Sequence, residues 1–151
     1  PAGSAGTVAA HGAFVAGEES FWIVYSDNLT NADLAPMLAF HRAHGDVMTL
    51  ALFRTPEPHA SGVVSLEQDG RISGFHEKPV RPIGNLANAG IYLARQALFG
   101  CIPQGLGLTD FGHHVLPGLV GRMRGYAIDG YFADIGTPAR LARAEAEWPG
   151  F

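Results

Sequence analysis

The chain has 151 residues, of which 47% are apolar and 16% charged, and it carries a formal net charge of −4. A chain of this length suits one domain, and its apolar fraction is large enough for a hydrophobic core, so an intrinsically disordered protein is excluded. The acidic balance and the scattered arginines argue against a nucleic-acid-binding protein. No apolar run approaches the roughly 18 residues that a membrane span needs.

Cysteine content and the first residues bear on the compartment. Cys101 is the single cysteine, so no internal disulfide can form and a reducing compartment is favoured. Residues 1–7 lack the positively charged segment of a secretory signal, and we therefore expect a cytoplasmic protein. The first residue is Pro1 rather than Met, which leaves open that the chain begins partway through a longer gene product.

In chain order, the first predicted unit is strand, helix, strand. Phe21–Tyr25 is a continuous apolar run of strand length, which is typical of a sheet buried on both faces. A helix is predicted from a cap at Thr30 or Asn31 to about His44, followed by a second buried strand at Val47–Phe53. Such a unit implies a parallel pair of strands joined by a right-handed crossover.

The pattern then changes to a β-hairpin, with strands at Gly62–Leu66 and Arg71–His76 and the Asp-Gly pair before Arg71 as the reversal. Taken together, the elements predict one α/β domain over residues 1–151 with a mixed sheet. The remaining predicted elements are strands at Leu86–Leu93 and Met123–Asp129, a helix within Asp110–Val120 interrupted or ended at Pro117, and a last helix from Thr137-Pro138 to about Trp148.

Two aspartates follow apolar strands and are candidates for a cation site. Asp27 comes after Phe21–Tyr25, and Asp134 comes after residues 131–133. Ligands of open α/β sheets bind beyond the carboxyl ends of strands, and hard cations such as Mg²⁺ favour carboxylate oxygens. Asp is also common in turns, so for either residue alone a capping or turn role stays open. Their occurrence as a pair at one sheet edge favours the cation site.

The segment Phe75–Pro79 contains Lys78, the one lysine among ten basic residues. Neighbouring residues of a regular strand point to opposite faces, so Glu77 and Lys78 can share a ligand only if the strand breaks here, which Pro79 favours. A lysine ammonium suits a phosphate, and a carboxylate accepts hydrogen bonds from hydroxyls. The alternative is a solvated ion pair at the end of a strand.

Other patterns carry less information. Residues 3–7 (GSAGT) could bring backbone N–H groups close to a ligand, but they match neither the phosphate loop nor the dinucleotide fingerprint. His41 and His44 share a helix face without an evident third ligand, so a metal site there is not predicted. Cys101 has no basic neighbour that would activate its thiol, and a nucleophilic triad has little support.

Five short segments, spread over nearly the whole chain, match the pattern of a known family. They are residues 3–7 (GSAGT), 25–30 (YSDNLT), 70–79 (with GRI at its start and FHEKP at its end), 88–92 (NAGIY) and 134–138 (DIGTP). In this order they resemble the sugar-1-phosphate nucleotidyltransferases, also called NDP-sugar pyrophosphorylases, which include mannose-1-phosphate guanylyltransferases and glucose-1-phosphate thymidylyltransferases. The resemblance implies a Rossmann-like nucleotidyltransferase fold with a mixed, mainly parallel central sheet and a small β-hairpin region.

The reaction implied by the resemblance is a Mg²⁺-dependent nucleotidyl transfer. A sugar 1-phosphate attacks the α-phosphorus of an NTP, and an NDP-sugar and pyrophosphate are formed. By resemblance, Asp27 and Asp134 hold the metal between the reacting phosphates, and Lys78 acts with them as a catalytic residue. The attacking phosphate is already anionic, so this chemistry depends on positioning and charge neutralisation rather than on a strong base.

The resemblance also assigns substrate-binding residues. Glu77 would bind sugar hydroxyls, and Lys78 would hold the phosphate of the sugar. Asn88 and Gly90 would line the sugar pocket, and Gly6 would approach the nucleotide base. The implied partners are therefore the sugar 1-phosphate and the NTP, without nucleic acid or membrane.

Two departures from the family pattern affect these expectations. Ser26 stands where the family usually has Gly before the metal-binding aspartate. The family's opening Gly-rich loop, which holds the triphosphate with a basic residue, is not found in this sequence. We therefore expect the chain to be the C-terminal majority of an enzyme whose N-terminal units are missing, with the sugar pocket and both aspartates retained.

Two other functions stay open. The first is a non-catalytic regulatory domain that binds a sugar phosphate or a nucleotide, which the missing loop favours. The second is a metal-dependent glycosyltransferase, which ranks lower because Asp27-Asn28-Leu29 lacks the second aspartate of an Asp-x-Asp motif. A homo-oligomer is also left open, since Phe132, Trp148 and Phe151 suit either core or interface packing.

Overall fold

Strand β6, Leu86–Arg95, is the longest strand among the described residues and the one around which the main sheet forms. The computed structural model describes residues 2–105 and 107–150, so Pro1 and Phe151 lie outside the described residues. The helices and strands are α1 (Gly3–Ala10), β1 (Ser20–Val24), β2 (Asn28–Thr30), α2 (Ala35–Arg42), β3 (Met48–Arg54), β4 (Gly62–Leu66), β5 (Ile72–Glu77), β6, β7 (Met123–Ala127), β8 (Phe132–Asp134) and α3 (Pro138–Glu147).

β6 pairs with three strands and is antiparallel to all of them. β3 runs along one edge of β6 from residue 86 to residue 94. β1 and β4 share the other edge, β1 against residues 91–95 and β4 against Ala87. β7 extends the sheet as the parallel neighbour of β3, and β5 extends it on the other side as the hairpin partner of β4. β2 and β8 form a separate two-stranded antiparallel sheet.

The mixed sheet of an α/β chain is confirmed, but the expectation that it is mainly parallel is wrong. Within the described strands, β3 and β7 are the single parallel pair. β1 and β3 run in the same direction, as predicted, but they do not pair because β6 lies between them. The apolar run of β1 was misleading: Trp22 and Val24 are 39% and 55% exposed, so only one face of β1 is buried. An antiparallel strand tolerates one solvated face.

The hydrophobic core lies on both sides of the main sheet. Leu50 and Leu52 of β3 belong to one cluster of buried side chains, whereas Ala51 belongs to the other. Because successive side chains of a strand point to opposite faces, the two clusters lie on opposite sides. Phe111 belongs to the first cluster and Met37 of α2 to the second. The central strand β3 is therefore buried on both faces, as its sequence predicted.

The second helix starts later than predicted. α2 covers Ala35–Arg42, and the side chain of Asp33 accepts the N–H of Ala35 at 2.9 Å. The two candidate caps bind another segment instead. Thr30 Oγ1 donates to the carbonyl of Tyr131 at 2.7 Å, and Asn31 Oδ1 accepts the N–H of Tyr131 at 2.8 Å. The prediction of a cap at Thr30 or Asn31 is wrong because both side chains hold β2 against β8.

The predicted hairpin and the last helix are confirmed. Gly70 has φ +83° in the turn between β4 and β5. α3 begins at Pro138, and the Thr137 side chain accepts the N–H of Arg140 at 3.3 Å as its cap. Between Asp110 and residue 120, a π-helical turn and then a 3₁₀ turn replace the single helix that was predicted.

Phe132 and Trp148, two of the aromatic residues that the sequence left for either core or interface, pack within the chain. The ring of Phe132 lies 4.3 Å from that of Phe53, and Trp148 lies 5.4 Å from Tyr131 in an edge-to-face arrangement. In residues 2–105 and 107–150, no helix is both long enough and apolar enough to cross a membrane. Assembly into a homo-oligomer stays a prediction.

We expect Gly70→Ala to destabilise the protein, because an L-residue with positive φ costs about 1–2 kcal/mol. The free energy of unfolding of the full-length protein, from urea titration, measures this loss. Gly45→Ala is the matched control, since Gly45 is exposed, has no heavy atom near an added Cβ and is not in the left-handed region. Equal stability of the two variants would contradict the prediction.

Candidate functional site

A cleft of about 600 Å³ opens beside the edge of β6 that β1 and β4 share. β1 reaches Ile91 and β4 stops at Ala87, so neither strand pairs with the residues between them. This gap in the ladder is where the cleft reaches the sheet. Of the residues that the sequence singled out, those lining the cleft are Asp27, Glu77, Lys78, Asn88, Gly90 and Asp134.

A bulge in β6 shapes the floor of the cleft. Leu50 and Leu52 of β3 face Tyr92 and Asn88, so β6 accommodates extra residues around Gly90. Gly90 has φ +68°, and a Cβ there would lie 3.0 Å from the ring of Tyr25. This position therefore requires glycine.

Asn88 fixes the same bulge with both ends of its side-chain amide. Its Oδ1 accepts the N–H of Gly90 at 3.0 Å, and its Nδ2 donates to the hydroxyl of Tyr92 at 2.8 Å. The neighbouring carbonyl of Ala89 accepts a hydrogen bond from Asn28 Nδ2 at 2.7 Å. Asn88 thus has a structural role in the bulge, and the substrate role that the resemblance implies stays a prediction.

Asp27 and Asp134 are brought together by the pairing of β2 with β8, rather than by the main sheet. Asn28 lies opposite Asp134 in that ladder, and Ile135 donates its N–H to the carbonyl of Asp27 at 2.8 Å. A Cβ on Gly136 would lie 2.7 Å from Asp27 Oδ2 and 3.1 Å from Asp134 Oδ1. The two carboxylates therefore converge beside Gly136, where a side chain would block them.

The paired carboxylates of Asp27 and Asp134 suit a cation that takes most of its ligands from outside the protein. No group of three or more His, Cys, Asp or Glu side chains with metal-binding geometry occurs in residues 2–105 and 107–150. A closed structural metal site, which needs about four protein ligands, does not fit such a pair. Two carboxylates fit a hard cation whose other ligands are water and phosphate oxygens.

The end of β5 breaks at Lys78, as predicted. Lys78 has φ +46° and is the one non-glycine residue with positive φ among the described residues. Its N–H donates to the carbonyl of Ser61 at 3.1 Å. This backbone lets Glu77 and Lys78 line the same cleft. Strain of this kind is found at functional sites when the surrounding structure enforces it.

The carboxylate of Glu77 lies in a narrow space between two glycines. Its Oε2 would be 2.8 Å from a Cβ on Gly62 and 2.5 Å from one on Gly112. Burial raises the pKa of Glu77; the charges of His113 and Lys78 act against this rise, and that of Asp110 adds to it. A carboxylate kept in such a place at a cost in stability is a candidate for function.

Asp110 lines the same cleft and was not singled out from the sequence. Its Oδ2 accepts a hydrogen bond from Ser4 Oγ at 2.9 Å, and its Oδ1 accepts the N–H of His113 at 3.2 Å. Burial acts to raise the pKa of Asp110, but the hydrogen bonds from Ser4 and His113 outweigh it and hold that pKa below its ordinary value. Its position as the cap of a helical turn was the signal available in the sequence.

Gly6 lies away from this cleft. It lines a second, smaller cleft of about 320 Å³, together with residues such as Gln104. The N–H groups of Ala5 and Gly6 both donate to the carbonyl of Thr109, at 3.0 and 3.1 Å. These two backbone donors of α1 are therefore already used within the protein, and a role of Gly6 toward a nucleotide base stays a prediction.

Comparison with known proteins identifies the relatives of this chain. The sequence model of the family described as "Nucleotidyl transferase" matches residues 1–149. A mannose-1-phosphate guanylyltransferase catalytic subunit beta from Drosophila pseudoobscura pseudoobscura is 33% identical over 91% of the chain and 38% of its own length. A glucose-1-phosphate adenylyltransferase from Thermomicrobium roseum is 38% identical over 76% of the chain and 29% of its own length.

The fold also matches a solved structure. A Bacillus anthracis protein assigned as a glucose-1-phosphate thymidylyltransferase, crystallised with a sucrose, superposes with a TM-score of 0.78 at 22% identity. The match covers 95% of this chain and 61% of that one, and it shows that the fold is shared. The chain spans 29% to 38% of the length of the two sequence relatives described above.

We expect Glu77→Gln to be more stable than the wild type at pH 7. Burial raises the pKa of Glu77 in the folded protein, so folding favours the protonated side chain. The stability that this protonated side chain contributes is therefore complete below the ordinary pKa of 4.5 and is lost as the pH rises through the folded-state pKa. The gain from Gln should therefore disappear below pH 4.5. Thermal unfolding of the full-length protein at several pH values measures it.

Glu67→Gln is the control for this comparison, since Glu67 is an exposed residue of the same hairpin. It should show no comparable gain at pH 7. If Glu77→Gln is less stable than the wild type at pH 7, the ionised carboxylate stabilises the folded protein. That result would contradict the raised pKa of Glu77, which implies a destabilising carboxylate.

Proposed function

The chain belongs to the nucleotidyl transferase family, and on that premise we propose that the protein containing it transfers a nucleotidyl group from an NTP to a sugar 1-phosphate. The observation that carries the proposal is the convergence of the Asp27 and Asp134 carboxylates at a cleft that Lys78 also lines. Such a cleft combines a site for a cation with a separate positive charge for a phosphate. The relatives named above carry guanylyl and adenylyl transferase names.

In the proposed reaction, a phosphate oxygen of the sugar 1-phosphate forms a bond to the α-phosphorus of the NTP. The bond from that phosphorus to the bridging oxygen of the β-phosphate breaks, and pyrophosphate leaves with the electron pair. The nucleophile is already an anion, so no group in the cleft has to remove a proton. The protein must hold two phosphates in line and offset their charge.

Asp27 and Asp134 would hold Mg²⁺, which suits a pair of carboxylates with phosphate oxygens as its other ligands. When bound, this ion neutralises negative charge on the reacting phosphates. Asp134 is pre-oriented for the role, because its Oδ1 accepts the N–H of Gly136 at 2.8 Å. The backbone of Asp27 is fixed by the bond from Ile135.

The other wall of the cleft would bind the sugar phosphate. The Lys78 ammonium offers a compact charge to its phosphate, and the Glu77 carboxylate offers acceptors to its hydroxyls. Asp110 is a second acceptor in the same cleft. Asn88 and Gly90 would form the floor beneath the sugar, since they shape the bulge of β6.

The triphosphate needs further positive charge, and this sequence contains no Gly-rich loop with a basic residue of the kind described above. We place that loop in another part of the full-length protein, in keeping with the greater length of the relatives. We place the protein in the cytoplasm, which fits its single free cysteine, Cys101.

We expect Asp27→Asn and Asp134→Asn each to lower the rate of pyrophosphate release about 100-fold or more, the scale seen when a preorganised charge-stabilising group is removed. The assay uses the full-length protein with Mg²⁺, an NTP panel, and mannose and glucose 1-phosphates. Asp129→Asn is the control, because Asp129 is exposed, close in sequence and outside the cleft.

Wild-type rates in both variants would refute the assignment of the two aspartates. A wild-type protein that binds sugar phosphate but releases no pyrophosphate with any pair would instead support the non-catalytic binding domain.

We expect Lys78→Gly to be more stable than Lys78→Ala by about 1 kcal/mol, because glycine relieves the cost of positive φ. Both variants should bind sugar 1-phosphate more weakly, with a smaller effect on NTP binding, as measured by calorimetry. This pair separates the two roles of the residue, since a folding defect cannot explain lost binding in the more stable variant.

Arg81→Ala removes an exposed positive charge from the same loop without touching the cleft. It should bind both ligands as the wild type does. Equal losses of NTP and sugar-phosphate binding in Lys78→Gly would argue against a specific role at the sugar phosphate.

A further inference from the structure

Arg140 lines the cleft and forms ion pairs with two of its acidic residues, Asp134 and Glu57. Its Nη1 donates to Asp134 Oδ2 at 2.6 Å, and its Nη2 lies 3.7 Å from Glu57 Oε2. We propose that Arg140 acts as the counter-ion of Asp134 and thereby lowers the affinity of the Asp27–Asp134 pair for a divalent cation. This inference rests on the cation site of the proposed function and adds a residue that controls it.

The place of Arg140 in α3 is not explained by the helix itself. It lies in the first turn, where the helix dipole favours acidic side chains, yet that turn contains no acidic residue. The other end of α3 also opposes the helix dipole, which favours basic side chains there, because the last residue is the acidic Glu147. A basic residue in this turn is unfavourable for α3, so its partners outside the helix account for its position.

The geometry separates orientation from charge at Asp134. The Oδ1 atom is held by the N–H of Gly136 at 2.8 Å, independently of Arg140. Arg140 contacts only the other oxygen and supplies positive charge there. Loss of the guanidinium would therefore leave the carboxylate oriented while leaving its charge uncompensated. Since Asp27 Oδ2 faces the same space, the local field would become more negative and would attract a cation more strongly.

Glu57 gives Arg140 a second acidic partner in the same cleft. Glu57 lies just before the short 3₁₀ turn at Pro58–Ala60 and lines the cleft. When a cation binds Asp134, the guanidinium can remain beside Glu57, which lines the same cleft. Its positive charge would then be available to an anionic substrate in that cleft. The exchange of partners would let the site bind a free cation weakly and gain a positive charge when substrate arrives.

The test is the affinity for Mn²⁺, measured by electron paramagnetic resonance on the full-length protein without substrate. Arg140→Gln should bind Mn²⁺ about 2- to 5-fold more tightly than the wild type, the range expected for a partly exposed ion pair. Loss of structure would weaken binding, so a gain in affinity cannot come from misfolding. Arg140→Lys, which keeps the charge, should stay close to the wild type.

Arg143→Gln is the matched control. Arg143 lies one turn further along α3 and lines the same cleft, but its ion pair is with Glu147, at 3.8 Å. It changes the charge of the cleft equally without freeing Asp134. An equal gain in both Gln variants would show a general field effect and would overturn the inference, as would unchanged or weaker Mn²⁺ binding in Arg140→Gln.

Asp134→Asn separates failure of this inference from failure of the cation site. If that variant loses Mn²⁺ binding while Arg140→Gln binds as the wild type does, the site stands and the counter-ion role is refuted. If Asp134→Asn keeps wild-type Mn²⁺ affinity, the cation site of the proposed function fails and the role of Arg140 fails with it.

Discussion

The cleft depends on one short ladder, the pairing of β2 with β8. It joins segments far apart in the chain: Thr30 of β2 donates a hydrogen bond to the carbonyl of Tyr131, the residue before β8 and 101 positions away. Three-residue strands are too short to be stable alone. Side chains supply the missing support, because Thr30 and Asn31 both bind the backbone of Tyr131. The ring of Phe132 in β8 packs against that of Phe53 in β3, which connects this ladder to the main sheet. The convergence of the two aspartates follows directly from this pairing.

Near that ladder, several residues of the cleft have locally unfavourable conformations or charges. Lys78 holds a left-handed backbone, and Glu77 is a carboxylate whose pKa is raised by burial. Asp110, in the same cleft, keeps its charge because hydrogen bonds from Ser4 and His113 compensate its burial. Arg140 stands in a helix turn that does not favour it. Such conflicts between local preference and position are concentrated at functional sites.

The main sheet explains why these residues gather in one place. β6 is antiparallel to β1 and β4, which share one of its edges, and on that edge neither strand pairs with residues 88–90. The bulge at Gly90 fills this interval, and the ends of β1 and β5 lead into it. A mainly parallel sheet, which the family resemblance implied, would have placed the cleft at a row of strand ends. Instead, the cleft lies beside a gap in the pairing along one edge of β6.

The sequence by itself determined the local elements and the chemical character of the site. The apolar run of β3, the Asp-Gly reversal before β5 and the Thr-Pro start of α3 act over a few residues, so composition and spacing were enough to predict them. The carboxylates at Asp27 and Asp134 and the break at Lys78 were predictable for the same reason. Only the tertiary structure decided that β6 separates β1 from β3, that Thr30 binds Tyr131 instead of capping a helix, and that Asp110 and Arg140 face the cleft. Each of these depends on contacts between residues distant in the chain, and no local pattern encodes such contacts.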